Sequence, residues 1–355
     1  MKNICLSSDT VKHIGRVVRG DTELWLTQSS SGCEFRFRGR KLDIILGCDE
    51  DSFKEEIPQN KPRIAVRVNG RYRIKKKVSY DCERYPIISS DSVTEADVEI
   101  IKLSEAAFSL AYAKVETDDD AIIIPAPTRP KRIGFIGDSI TCGYGVDDSN
   151  TESDFSTETQ NAMKSYAWKT AEMLGTECAM FSYSGYGIIS GWTADGVRNT
   201  REVLPPHYEK VCHSYKTANG RDFDEEKWDH SLLPCDIIVV NLGTNDNSFC
   251  TVNDGAFDEF EAAYYDFLQT VHRCHPKAFI IASIGIIPIS AELMDRISKA
   301  AEKFRDNISP RISAFRFTSQ NGDLGFGSNW HPSEDTHEYA AEEFAAYIRS
   351  LGIII

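Results

Sequence analysis

No CxxC pair joins any two of the ten cysteines, which run singly from Cys5 to Cys274. That spacing excludes a zinc ribbon and a thioredoxin-like redox motif. HExxH is absent as well, and His272-Arg-Cys-His275 ends a helical pattern just before Pro276, so it reads as capping or surface rather than metal ligation. No apolar run approaches the ~20 residues needed to span a bilayer. The N-terminus, Met1-Lys-Asn-Ile-Cys, lacks the apolar core of a signal peptide. Together with scattered cysteines, these absences predict reduced thiols, a cytoplasmic location and no membrane partner. Basic charge is also short: 40 Lys and Arg face 54 Asp and Glu, a formal net charge of −14. A nucleic-acid or anionic-membrane partner calls for a basic face that this balance does not supply, whereas neutral substrates such as sugars are compatible with it.

The phosphate-binding glycine patterns are missing too. The glycine cluster between Gly134 and Gly145 carries no following Lys, so it is not a P-loop, and its Gly134-x-x-Gly137 spacing is not the dinucleotide fingerprint. A lipase-type elbow needs Gly two residues after the serine, where Thr141 stands. What is present is a short apolar run, Ile133 to Ile136, that breaks at Gly137-Asp138-Ser139. This predicts a buried parallel strand with Ser139 just past its C-terminal end, the edge where open α/β sheets bind ligands. A serine there is a nucleophile or a helix cap. Cys142, three residues on, reads as a small packing residue.

A chain of 355 residues fits two domains. Residues 1–127 read as all-β. Phe35 and Phe37 alternate with arginines, Leu42–Leu46 is an apolar run, and Ile64, Val66 and Val68 lead through Asn69-Gly70 into Arg71–Lys77 as a hairpin. Several short strands without a long helix predict a β-sandwich. The acidic 118–120 and the proline-rich 125–130 mark a boundary. From residue 128 onward strand and helix patterns alternate to the C-terminus, with helices over Tyr166–Leu174, Phe257–Val271 and Ala291–Phe304 and strands over Ala179–Tyr183, Asp236–Leu242, Ala278–Ile284 and Ala314–Phe317. That alternation predicts a mostly parallel sheet covered by helices on both faces, an α/β domain following the sandwich.

Three predicted strands end in polar turns: Gly137-Asp138-Ser139, Ser184-Gly185, and Gly243-Thr244-Asn245-Asp246. In a parallel sheet these ends share one edge. His331 sits in a loop before the last helix. A serine, a backbone donor, an amide side chain and a histidine are the parts that acyl transfer needs, and none requires a metal or cofactor. Asp138 and Asp246 read as turn-holding residues. Among the aromatics of irregular segments, Trp330, Trp192, Tyr186 and Tyr208 are candidates to rim a substrate cleft.

These four blocks, in this order, resemble the SGNH/GDSL hydrolases over about residues 130–355. The whole chain is similar to carbohydrate esterase family 2, through Phe35-Arg-Phe37-Arg-Gly39, Val66-Arg-Val68-Asn-Gly70, the Gly137–Gly145 block, Trp228 and Trp330-His331-Pro332. The resemblance implies a jelly-roll sandwich before a three-layer SGNH domain. It implies Ser139 as nucleophile, His331 as general base, and an oxyanion hole from the Ser139 and Gly185 N–H groups and the Asn245 side chain. It also implies acetyl-ester hydrolysis on acetylated hemicellulose oligosaccharides of the mannan, glucomannan and xylan type. The wider superfamily places Asp three residues before the histidine. Here that position is Ser328. A Ser-His dyad is therefore expected, with the ring held by a backbone carbonyl from Ser328–Trp330, or alternatively by Asp323 reaching round the loop. Two competing functions stay open at this point: a lysophospholipase or thioesterase of the same superfamily, and a non-catalytic sugar-binding module. The oligomeric state and the role of the β-domain are open as well.

Overall fold

A computed structural model describes residues 1–50, 52, 60–78 and 82–353. The chain divides into two compact units. The first takes Met1–Arg129 together with Ser156–Gln160 and Lys210–Lys227; the second takes Pro130–Phe155, Asn161–Glu209 and the chain from Trp228 onward. A single cut in the proline-rich stretch therefore misses two excursions. Both are polar segments without periodicity, and specific bonds attach them to the first unit. Arg63 donates to the Gln160 carbonyl (3.0 Å), Gln160 donates to Glu105 (2.7 Å), and the Tyr215 N–H donates to the Ala107 carbonyl (2.8 Å).

In the first unit, ten antiparallel strands, β1 to β10, lie between Lys2 and Pro125 among the described residues. Two of them are long, β5 (Gly32–Cys48) and β8 (Glu83–Lys102), and they pair along most of their length. Alternation explains which side faces inward. Phe35, Phe37, Ile64, Val66, Val98 and Ile100 are all buried in one apolar core, while the intervening Arg36, Arg38 and Arg67 form ion pairs with Asp97, Glu95 and Glu99 on the outer face. Asn69 and Gly70 both have positive φ (50° and 74°), the geometry that a two-residue hairpin turn requires.

The second unit holds five parallel strands: β11 (Arg132–Gly137), β12 (Glu177–Ser182), β13 (Ile237–Asn241), β14 (Phe279–Ile284) and β15 (Ile312–Arg316), in the order β12-β11-β13-β14-β15. β12 and β13 are buried along their whole length, as expected of parallel strands covered on both faces. Flanking the sheet, the helix Tyr166–Leu174 packs with Glu334–Ser350, and Ala256–Cys274 packs with Ala291–Asn307. Phe260, Tyr264, Phe267, Leu268 and Val271 form the buried stripe of the Ala256–Cys274 helix. From β11 the chain goes to the edge strand β12 and then returns to β13 on the other side of β11. The strand order thus reverses at the C-terminal ends of β11 and β13, the kind of switch point at which open α/β sheets bind ligands. Gly243-Thr-Asn-Asp, expected as a turn, instead begins a helix, Thr244–Cys250. Among the described residues no helix is long and apolar enough to cross a membrane.

Candidate active site

Ser139 is the first residue of a one-turn helix, Ser139–Cys142, directly after β11. The Asp138 side chain accepts from the Ile140 N–H (3.0 Å) and caps that helix. The cap is thus Asp138 rather than Ser139, which stands just past the C-terminal end of β11. At the first helical position the Ser139 N–H has no intrahelical acceptor. Gly137 cannot be larger, because a Cβ there would lie 2.0 Å from Thr141 Oγ1. Below, the Tyr166 hydroxyl bonds Thr141 (3.1 Å) and accepts from Asn241 (3.1 Å), tying the Ser139 turn to β13.

His331 Nε2 lies 2.9 Å from Ser139 Oγ, and its Nδ1 lies 3.1 Å from the Asn329 carbonyl oxygen. A carbonyl only accepts, so Nδ1 carries the proton and Nε2 is left as the acceptor for the serine hydroxyl. Asp323 is engaged elsewhere: it accepts from the Asn321 side chain at 2.7 Å, and its N–H donates to Asn321 Oδ1 at 3.0 Å. The ring is thus held by the backbone, at a cost in conformation. Asn329 (φ 50°) and Trp330 (φ 60°) both occupy the left-handed region that side-chain-bearing residues avoid. Tyr144 lies flat against the imidazole, with ring centroids 3.9 Å apart and planes at 23°. Gly145 lets the histidine loop approach; a Cβ on it would fall 2.1 Å from Ser328 Oγ, and its carbonyl accepts from the Ser328 N–H at 3.2 Å. Neither Tyr144 nor Gly145 was singled out from sequence, although both follow Ser139 within the same block. Burial pulls the His331 pKa down to about 4, against the opposing pull of the Asn329 and Ser328 carbonyls.

Gly185 follows β12 in the left-handed region, φ 85°, and its carbonyl accepts from the Trp192 N–H at 2.9 Å. Asn245, nearly buried at the start of the helix after β13, donates one amide N–H to the Tyr186 carbonyl at 2.9 Å and keeps the other. Its neighbour Asp246 is fully buried and accepts from three successive backbone N–H groups, those of Ile188 (2.9 Å), Ile189 (2.7 Å) and Ser190 (3.1 Å). Burial pushes Asp246 up to about 6 despite those donors. Burial likewise pushes Asp138 up to about 7, offset by the Ile140 N–H and reinforced by the charge of Asp246.

The four aromatics separate into two kinds. Trp192 and Trp330 are largely exposed (59 % and 55 %), Trp192 bonded through its backbone to Gly185 and Trp330 adjacent to His331. Tyr186 and Tyr208 are corrected: each is only 2 % exposed. Tyr208 packs edge-on to Phe181 and Phe267, and Tyr186 packs beside Tyr183. A ring sealed on both faces has none to offer a sugar. Irregular sequence around them resembled a cleft rim, but it is coil folded into the core. Cys142 is a buried packing residue 3.3 Å from Ser182 Oγ.

Residues 135–350 match the GDSL-like lipase/acylhydrolase family, and the chain belongs to it. It is 27 % identical over 326 residues to the cellulase/esterase CelE of Acetivibrio thermocellus, which covers 91 % of this chain and 37 % of that protein. The chain thus spans little more than a third of that relative's length. An acetylxylan esterase/glucomannan deacetylase of Cellvibrio japonicus is 29 % identical over 258 residues, 72 % of this chain and 67 % of that one. Among solved structures, the acetyl xylan esterase Est2A from Butyrivibrio proteoclasticus has a TM-score of 0.87 at 25 % identity, covering 100 % and 99 % of the two chains. A family two carbohydrate esterase from Clostridium thermocellum, solved with cellohexaose, has a TM-score of 0.82 at 23 % identity over 97 % and 99 %. The two-unit architecture is that of the family two carbohydrate esterases.

Proposed function

We propose that this member of the GDSL-like lipase/acylhydrolase family is a serine acetylesterase that removes O-acetyl groups from hemicellulose-type oligosaccharides. The observation that carries the reading is the 2.9 Å contact between Ser139 Oγ and His331 Nε2, with the ring's other nitrogen on a carbonyl. The substrate class follows from the names of the relatives, acetylxylan esterase and glucomannan deacetylase.

In this reading Ser139 Oγ bonds to the acetyl carbonyl carbon while its proton passes to His331 Nε2. The oxyanion is taken up by the Ser139 and Gly185 N–H groups and the second Asn245 amide N–H. As the tetrahedral intermediate collapses, the ester C–O bond breaks and His331 returns its proton to the departing sugar oxygen. Water then repeats the sequence on the acetyl-enzyme, losing a proton to His331 and releasing acetate and free Ser139. Among the described residues no carboxylate bonds the ring, so the imidazolium is stabilised by a carbonyl dipole and by the face of Tyr144. Its depressed pKa keeps His331 neutral, and so able to accept a proton, at any pH above about 4. The exposed rings of Trp192 and Trp330 serve as platforms for the sugar.

Time-resolved NMR on acetylated manno- and xylo-oligosaccharides tests this reading. Loss of acetyl signals, abolished in Ser139→Ala, is the expected result. A preference for octanoyl over acetyl esters would identify a lysophospholipase or thioesterase instead. Oligosaccharide binding without turnover would identify a binding module.

A further inference from the structure

Two parts of the proposed oxyanion hole, the Gly185 N–H and the Asn245 amide, follow different strands, β12 and β13, and something must hold them in register. Asn245 and Asp246 are consecutive residues of one turn after β13, and both reach across to the segment after β12. Asn245 bonds the Tyr186 carbonyl, and Asp246 gathers the N–H groups of Ile188, Ile189 and Ser190. Three converging backbone donors form an anion nest, and a fully buried carboxylate fills it. Gly187 sits against this carboxylate so closely that a Cβ would come within 2.5 Å of its oxygen and 2.0 Å of the Ser190 carbonyl. The segment that the nest holds begins two residues after Gly185.

We propose that Asp246 is a positioning residue of the oxyanion hole: its ionised carboxylate locks the Gly187–Ser190 turn, and with it the Gly185 N–H, to the turn that presents Asn245. Protonation puts a donor where the nest needs an acceptor, and the lock loosens. The inference rests on the acyl-transfer reading of the site but on no particular sugar. Three ionisable groups interact with Asp246 electrostatically. Tyr264, from the Ala256–Cys274 helix, and Cys250, on its own helix, are both pushed upward by burial and stay neutral. Asp138, from the nucleophile turn, is the one that titrates in the same range, and the two acids ionise as a coupled pair.

The experiment is steady-state hydrolysis of 4-nitrophenyl acetate across acid to alkaline pH by the wild type and the variants Asp246→Asn, Asp138→Asn and Ser139→Ala. The wild type is expected to lose kcat/KM as pH falls through about 6 to 7, well above the His331 limb near 4. Asp246→Asn is expected to lose about 100-fold in kcat with KM changed less than about threefold, the signature of a displaced oxyanion donor. Asp246, near 6, ionises before Asp138, near 7, so Asp138 is still neutral as Asp246 titrates, and Asp138→Asn is expected to leave the limb in place, whatever happens to the plateau. A wild-type profile flat to pH 5, a limb that Asp138→Asn abolishes, or an Asp246→Asn enzyme within about threefold of wild-type kcat each overturns the proposal. Should Asp246→Asn fail to fold, the first two measurements decide it. Activity surviving in Ser139→Ala would refute the acyl-transfer reading itself, a separate outcome.

Discussion

Asn245→Ala separates the chemical from the architectural work of one side chain. The amide has two N–H bonds. One is spent on the Tyr186 carbonyl at 2.9 Å, and the other is the proposed oxyanion donor. Truncation removes both, with separable consequences. Loss of one preorganised oxyanion donor raises the barrier by roughly 3–4 kcal/mol, about 10²–10³ in kcat. Because the oxyanion exists only in the transition state, KM for a small acetyl ester should change by less than about threefold. Asn245 is only 7 % exposed, so the Tyr186 carbonyl is left buried without its donor. That costs about 1–3 kcal/mol of stability, a fall in Tm of roughly 2–10 °C for a unit of this size. Stopped-flow or steady-state kinetics on an aryl acetate, paired with thermal unfolding, reads both. A variant that melts earlier yet keeps kcat within about fivefold would refute the oxyanion assignment and leave Asn245 as a turn-holding residue. A loss carried wholly by KM would refute it equally.

Three further outcomes are expected. Tyr144→Ala removes the ring stacked on His331, worth about 0.5–1.5 kcal/mol, and should lower kcat by up to about tenfold with unchanged unfolding of the first unit, measured by aryl-acetate kinetics and calorimetry. Gly145→Ala forces a Cβ into Ser328 at a residue with φ 65°, so it should displace the His331 loop and cost more activity than Tyr144→Ala. His337 is buried, accepts from the Tyr166 N–H through Nδ1 (3.1 Å), and burial lowers its pKa to about 3. Its folded pKa lies below the unfolded value, so the unfolded chain binds more protons between these two pH values, and stability falls as pH drops through that window. His337→Gln keeps an acceptor and removes this term, so urea unfolding should show about 2 kcal/mol less destabilisation between pH 7 and pH 5 than the wild type. An identical pH dependence would mean that His337 is protonated in the folded state.

Most of the strands and helices of the second unit were legible because their periodicity is strong. The Tyr166–Leu174 helix has the predicted ends, and Ile133–Ile136, Asp236–Leu242 and Ala278–Ile284 lie within one or two residues of the observed strands. The helix after β13 was not legible. Its residues, Thr-Asn-Asp-Asn-Ser-Phe-Cys, include poor helix formers that favour caps and turns. Trp192 and Tyr208 come from equally irregular sequence, yet one ring is exposed and the other is enclosed by Phe181 and Phe267. No local pattern separates them, because burial of a coil residue is decided by what the chain brings over it.

The sequence alone singled out the residues of the proposed chemistry: Ser139, Gly185, Asn245 and His331 are named by residue type at the ends of recognisable strands and before the final helix. The missing aspartate at Ser328 was equally visible, and with it the need for another way to hold the imidazole. Tertiary structure decided how that need is met. The Asn329 carbonyl lies only two residues from His331, but the stacked ring of Tyr144 and the close approach that Gly145 permits are contacts between segments more than 180 residues apart. Backbone carbonyls carry no side-chain signature, and an aromatic becomes a stacking partner only once the histidine arrives. Those relations exist in the folded chain and nowhere in the order of its residues.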